Sequence, residues 1–430
     1  MRILFCCQFY APSVGGVQEL VRQIAEQMVI RGHTVTVATT ALPNRDFEML
    51  NGVAIAGFTV AGNYVEGLSG EIERYQNYVV NGNFDAMLIY AAQQWTFDAL
   101  WPVLERIPFP KVMGPCGFSN FYEPAYAKYF SQMPTVLARF EHLVFNATQY
   151  RDIDLARQYH LENLTILPNG ASRQVFDVPV DSSFRMRHGI PENSFLFLTV
   201  GSFTGLKGHA ELLSAFELLR LPASQHATLL LNGNVVRQLE TGVVELAKKF
   251  VRLVKTRGPF HALAQVRKKI FGSGASPHQQ AALINSARGD RQVLVMDLPK
   301  QELTQAFFAS DLFVFASNIE HSPLVLFESA AAGTPFLTVS VGNAAEIAEW
   351  TQAGVLCPST VDAKGYTRAD PQVLANAMHA LMTQPAQLAQ LGKNGRINWA
   401  DKFTWEKISV RYEQLFSSLI EKNASIKLNL

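Results

Sequence analysis

Short apolar runs bounded by Gly, Pro or Asp recur in two series along this 430-residue chain, each separated from the next by a helix-length stretch. Such an alternation commits a chain to parallel sheets covered by helices on both faces. The first series holds a strand from Arg2 to Phe9, a glycine turn at Gly15-Gly16, and a strand from Thr34 to Thr39. Between the turn and the second strand, Val17, Leu20, Val21, Ile24 and Met28 recur at helical steps, and Gly32 stops the helix. Further strands are expected at Ala86 to Tyr90, Lys111 to Met113 and Leu143 to Phe145. Turn chemistry then runs from Pro168-Asn169-Gly170 through Asp177, Pro179 and Asp181 to Pro191. The second series is expected at Phe195 to Val200, Thr228 to Leu231, Val293 to Met296, Leu312 to Phe315 and Pro335 to Val339, with a helical tail from Gln372 onward. The length exceeds what one core usually serves, so two doubly wound, Rossmann-like α/β domains are expected, over residues 1–175 and 176–396, with 397–430 as a separate tail.

Charge narrows the function classes. Lysine plus arginine (37) nearly cancels aspartate plus glutamate (36), so no global field collects nucleic acid. The four cysteines, Cys6, Cys7, Cys116 and Cys357, have no metal-ligand spacing and read as reduced thiols of a cytoplasmic protein. The start reads as a strand rather than a signal peptide, and no apolar run reaches the roughly 18 residues of a membrane span. One stretch breaks the alternation: an insertion over 235–290, whose residues 237–271 carry Arg237, Lys248, Lys249, Arg252, Lys255, Arg257, Arg267, Lys268 and Lys269. Apolar residues interleave at helical spacing from Val243 to Val254. Two readings stand: a solvated helix covering the sheet, or a peripheral contact with an anionic membrane surface or lipid-linked acceptor.

Two segments carry chemistry. Gly201-Ser202-Phe203-Thr204-Gly205 follows a strand and precedes a helix, where backbone N–H groups receive phosphate, and Lys207 adds a cation. Alone, this reads as a βα turn with a surface lysine. The second segment runs from Glu320-His321-Ser322-Pro323 through Leu324, Val325 and Glu328 to Ala332-Gly333-Thr334-Pro335. A helix starting at Pro323 would leave the N–H groups of Ser322, Leu324 and Val325 free for an anion. Glu320 then stands ahead of that helix start and Glu328 inside it, as suits a ligand with hydroxyls on either side of a phosphate.

The two glutamates with seven residues between them, followed by Ala-Ala-Gly-Thr-Pro, resemble the signature of the retaining family-4 glycosyltransferases of the GT-B fold. Pro12 to Glu19, Arg31 to Val35, Leu167 to Gly170, Val200 to His209 and Phe403-Thr404-Trp405 resemble further segments of that family, so the likeness runs over most of the chain. The resemblance implies ribose at Glu328, the donor sugar at Glu320 and the diphosphate at Lys207. The backbone from Ser322 to Val325 and the Gly15-Gly16 loop would meet the diphosphate and sugar from opposite sides of a cleft. It also implies that the tail returns to the first domain. Two positions depart from the family: Ser202 stands where an arginine is usual, with Lys300 and the basic insertion as candidate substitutes, and Cys116 stands where a histidine often lies near the sugar. Cys116 reads either as a core thiol or as sugar-lining.

The expected reaction moves a hexosyl group from a UDP- or GDP-linked donor to an acceptor hydroxyl of a glycan or lipid-linked molecule, with retention, in glycan or polysaccharide assembly. No cofactor is expected, and no Asp-x-Asp is placed to hold a metal. Two rivals stand beside it. A non-catalytic nucleotide- or glycan-binding partner of the same fold would account for Ser202 and Cys116. A dinucleotide oxidoreductase would need Gly-x-Gly-x-x-Gly after the first strand, where Gly15-Gly16 stands alone.

Overall fold

The computed structural model describes residues 1–233 and 276–428. Two parallel sheets form around separate cores. The first has eight strands in the order Leu164–Ile166, His142–Phe145, Lys111–Gly114, Ala86–Tyr90, Arg2–Cys6, Thr34–Thr40, Val53–Phe58 and Met49–Leu50, parallel except for the last. The second has six strands among the described residues: Arg291–Met296, His226–Asn232, Ser194–Val200, Leu312–Phe315, Phe336–Val339 and Gly354–Cys357, all parallel. Central strands are buried on both faces, Ala86–Tyr90 along its whole length, which is why they read as unbroken apolar runs.

Every expected strand lies within two or three residues of an observed one. The strand Val53–Phe58 carries Ala and Gly at half-buried positions and lacks the apolar run that marks the others. A hairpin of Ser359–Val361 and Thr367–Ala369 follows the last strand of the second sheet. The basic residues 237–271 lie outside the described residues. The part of the insertion that is described holds the helix Pro277–Ala287, whose Ser276 side chain and Gln279 form a reciprocal cap.

Among the described residues the chain crosses between the sheets twice, and the crossings lie side by side. Ala171 donates its N–H to the Phe403 carbonyl at 3.0 Å, and Trp399 Nε1 donates to the Ala171 carbonyl at 3.1 Å. A Cβ on Gly170 would stand 2.2 Å from the Phe403 oxygen, so the close approach needs glycine. Beyond the crossing, Trp405, Ile408, Tyr412, Phe416 and Leu419 of the final helix, Trp405–Leu428, are buried in the core beneath the helix Gly16–Ile30. Glu413 of this helix accepts from His33 Nε2 at 2.7 Å and from Arg31 Nε at 2.7 Å. The tail therefore belongs to the first core by apolar burial and by charge.

Candidate active site

The segments singled out in the sequence are loops that leave the carboxyl ends of strands in both sheets, where doubly wound folds place ligands. After Ser194–Val200 the chain passes through Gly201 to Gly208 before the helix His209–Leu218. Gly208 has φ +69°, and a Cβ there would lie 1.8 Å from the Ala316 carbonyl oxygen, so only glycine lets this loop lie against the one after Leu312–Phe315. The Leu206 carbonyl accepts the Asn318 N–H at 3.0 Å and the Ser317 hydroxyl at 3.3 Å. Held this way, Lys207 Nζ donates to Glu320 Oε1 at 2.5 Å, and Ser317 Oγ donates to the same oxygen at 2.9 Å. Gly201 donates its N–H to the Asn232 carbonyl at 2.9 Å, and Ser202 lies half-buried in the loop.

The helix expected to begin at Pro323 spans Leu324–Ala332, with Pro323 as its extended cap at ψ 118°. The difference of one residue follows from that ψ, which keeps the proline outside the helical region while its fixed φ still leads into the first turn. Leu324 and Val325 therefore open the helix with their N–H groups free of intrahelical partners. The Ser322 hydroxyl is buried without a hydrogen-bond partner, a polar atom at the point where the helix dipole is positive. One turn inside, Glu328 lines a crevice with Leu324, Lys300 and Glu19. Burial pushes the Glu328 carboxyl up to about 7, with Lys300 acting against the rise and Glu19 adding to it.

Glu19 comes from the first sheet's side of the cleft. Gly15 precedes the helix Gly16–Ile30 and accepts the Glu19 N–H at 2.9 Å, which sets the carboxylate one turn along. Glu19 Oε1 takes hydrogen bonds from Arg22 Nη2 at 2.8 Å, Gln23 Nε2 at 2.9 Å and, across the cleft, Lys300 Nζ at 2.8 Å. Gly16 is exposed and Gly15 half-buried at the mouth of this turn.

Several contacts close the cleft around the Glu320 loop. Tyr150 donates its hydroxyl to the Glu320 carbonyl at 2.7 Å, and Asn169 Nδ2 donates to the Ser322 carbonyl at 2.9 Å. Glu346 accepts the Thr148 N–H and hydroxyl, each at 2.8 Å, and the Gln149 N–H at 3.0 Å. Leu324 and Cys116 both pack against the first core. Cys116 has φ +60° and its thiol is pushed up to about 12 by burial, with Asp152 adding to the rise, so it stays protonated at neutral pH. The next residue, Gly117, donates its N–H to the buried Asp152 carboxylate at 2.8 Å and lies against His321, whose Nε2 is 3.5 Å from Asp152. Burial lowers the His321 pKa, with Asp152 and Glu320 opposing.

The structure thus brings Lys207, Glu320, Ser322, Leu324 and Glu328 to one helix start, and packs Cys116 and Leu324 on the same core. Sequence reasoning gave no role to Glu19, Tyr150, Asp152 or Glu346. Glu19 lay at the end of a segment resembling the family without a role of its own, the other three carry no motif, and each finds its partner about 170 to 280 positions away. The amphipathic Gly16–Ile30 pattern with Glu19 off its apolar stripe was the one available signal.

Two doubly wound domains facing a shared cleft, with a final helix returned to the first, are the GT-B fold. Residues 235–397 match the family model described as Glycosyl transferases group 1. The sequence is 24% identical over 275 residues to a D-inositol 3-phosphate glycosyltransferase of Thermobispora bispora, covering 63% of this chain and 54% of that protein. The chain spans about half the length of the first curated relatives it matches, 54% and 44%. Among solved structures, sucrose-phosphate synthase from Thermosynechococcus elongatus superposes with a TM-score of 0.70 at 20% identity, over 98% of this chain and 99% of that one. The Anabaena protein Alr3699/HepE in complex with UDP superposes with a TM-score of 0.68 at 17% identity, over 97% and 100%. Among the described residues no helix is long and apolar enough to cross a membrane, and no cluster of His, Cys, Asp and Glu could hold a metal ion.

Proposed function

We propose that this chain is a retaining glycosyltransferase that moves a hexosyl group from a UDP- or GDP-linked sugar to an acceptor hydroxyl in glycan assembly. The observation that carries the reading is the helix start at Leu324. It has free N–H groups, an unpartnered buried Ser322 hydroxyl and the Lys207 cation at hand, with Glu320 on one side and Glu328 on the other. That order matches a sugar, a diphosphate and a ribose. The Anabaena structure holding UDP, and a second of the same protein with UDP-glucose, support a uridine donor.

In this reading the diphosphate draws Lys207 away from Glu320, which frees that carboxylate to accept hydroxyl groups of the sugar. As the bond from the anomeric carbon to the phosphate oxygen breaks, Lys207 and the helix start stabilise the negative charge gathering on the leaving diphosphate. The acceptor hydroxyl attacks the anomeric carbon on the face the diphosphate leaves, and its proton passes to a phosphate oxygen. No protein nucleophile and no metal ion take part. Glu328 holds the ribose throughout, Gly201 and Ser202 approach the phosphates, Gly15 and Gly16 face them from the first domain, and Cys116 lines the far wall. The intact pair of glutamates argues against a non-catalytic binding partner.

A thermal-shift panel of UDP, GDP and ADP checks the donor. A ligand at about 100 times its dissociation constant adds roughly 2.7 kcal/mol to native stability. One of the three is expected to raise the melting temperature equally with and without EDTA, with NAD giving no shift. A response that disappears in EDTA would end the metal-free reading.

The same reading places the chain at the cytoplasmic face of a membrane as a peripheral protein, with residues 237–271 meeting anionic lipid that carries or adjoins the acceptor. Each lysine or arginine near such a surface contributes about 1 kcal/mol. Binding to phosphatidylserine vesicles should fall steeply with salt, and a variant with glutamine at Lys248, Lys249, Arg252 and Lys255 should bind far less. Equal vesicle binding by wild type and variant would leave the solvated-helix reading.

A further inference from the structure

Two lysines in the cleft rest on carboxylates, one on each side of the helix start at Leu324. Lys207 pairs with Glu320 at 2.5 Å, and Lys300 pairs with Glu19 at 2.8 Å. The second pair is the looser of the two. Lys300 is 49% exposed, stands at the first residue of the helix Lys300–Ala309, and reaches across the cleft on a flexible stem. Exposed ion pairs contribute little to stability, so an entering anion displaces this one at low cost.

Glu19 does not need Lys300. Its oxygens also accept from Arg22 Nη2 at 2.8 and 2.9 Å, from Arg22 Nε at 3.1 Å and from Gln23 Nε2 at 2.9 Å. Withdrawing Lys300 therefore leaves Glu19 charge-paired and hydrogen-bonded on its own helix. Lys300 would go in one direction, because it lines the same crevice as Leu324 and Glu328. Its ammonium then shares one crevice with the helix start at Leu324 and with the carboxylate proposed to hold ribose.

We infer that Lys300 is the second cation of the diphosphate site, and that Glu19 is the carboxylate on which it rests until an anion enters. Beside Glu328, Lys300 meets the phosphate next to the ribose, while Lys207, beside Glu320, meets the phosphate next to the sugar. Two cations and a helix start then face a diphosphate, and each phosphate has its own lysine. The assignment rests on the donor-site reading above, since it takes the order of ribose and sugar from the two glutamates. It adds that both lysines change partner on binding, and that Glu19 competes with the nucleotide.

Calorimetric titration with UDP, UMP and uridine checks this, with GDP or ADP and their counterparts in place of the uridine series if the wild type prefers them. Lys300→Ala should lower affinity for the diphosphate and the monophosphate at least tenfold and leave the free nucleoside unchanged. Lys300→Arg should keep most of the affinity. Glu19→Gln should tighten the diphosphate severalfold, because the competing carboxylate is gone. If the pair merely pins the domains together, Lys300→Ala and Glu19→Gln would shift affinity in the same direction, and that result overturns the inference. Unchanged diphosphate affinity in Lys300→Ala overturns it as well. Absence of binding of all three diphosphates to the wild type would instead remove the donor-site reading and this inference with it. Melting curves of the free variants confirm that they are folded.

Discussion

Glu320→Ala is expected to lower donor-saturated turnover by roughly tenfold to more than a hundredfold, while affinity for the free nucleoside diphosphate holds or rises. Glu320 is proposed to accept hydroxyl groups of the sugar as that sugar loses its bond to phosphate. A hydrogen bond to a charged group is worth roughly 1.5–3 kcal/mol, and when it strengthens only in the transition state it appears in kcat rather than in binding. The structure adds a second reason for the two quantities to diverge. Without the carboxylate, Lys207 loses the partner it holds at 2.5 Å and is free for the diphosphate from the outset. Rates at saturating donor and calorimetric affinities for the diphosphate, measured on one variant, check both parts. A fall in affinity matching the fall in turnover would move Glu320 from the sugar to the nucleotide.

Glu328→Gln is expected to have opposite effects on binding and on stability. Loss of a carboxylate that grips ribose should weaken the diphosphate by roughly tenfold to a hundredfold, since a hydrogen bond to a charged group is worth about 1.5–3 kcal/mol. The ligand-free protein should gain stability, because burial pushes the Glu328 carboxyl from its ordinary 4.5 up to about 7. A folded-state value raised above the unfolded one means that the wild type has this group's full stability contribution below about pH 4.5. It loses that contribution as pH rises through about 7, by up to about 3 kcal/mol. The variant has no such loss, so its advantage should appear between those pH values and persist above neutrality. Nucleotide affinity should show the converse. The ribose-binding form is the ionised one, so wild-type affinity should fall by up to tenfold per pH unit below about 7, and the difference between wild type and variant removes the nucleotide's own titration. Denaturant melts and nucleotide titrations from pH 5.5 to 8.5 check the pair. An affinity that is unchanged in the variant at every pH would withdraw the ribose assignment.

Much of the architecture was legible from local pattern. Runs such as Ala86–Tyr90 and Leu312–Phe315 are buried along their whole length because both faces of a parallel sheet are covered, and burial on both faces is what makes a run uniformly apolar. The turn at Pro168-Asn169-Gly170 was legible because its residues disfavour both helix and strand, and the structure shows why Gly170 in particular is needed there. Glu320 and Glu328 stood out through their resemblance to a family signature, since two acids on a generic helix mean little. The pattern was weaker wherever burial was partial. Val53–Phe58 lies near the sheet edge with mostly half-buried residues, and the strand Gly354–Cys357 closes the other sheet with one buried residue of four.

The sequence by itself determined which segments become strands and helices, that there are two cores, and which helix start carries the paired glutamates. These are local properties, set by backbone preference and by the period at which apolar residues recur. Tertiary structure alone decided that Lys300 meets Glu19, that Tyr150 meets the Glu320 backbone, and that Glu346 meets Thr148. Those partners are surface groups on different domains, and no periodicity couples them. What brings them within hydrogen-bond reach is the packing of the two domains on each other, which the paired crossings and the returning helix Trp405–Leu428 join.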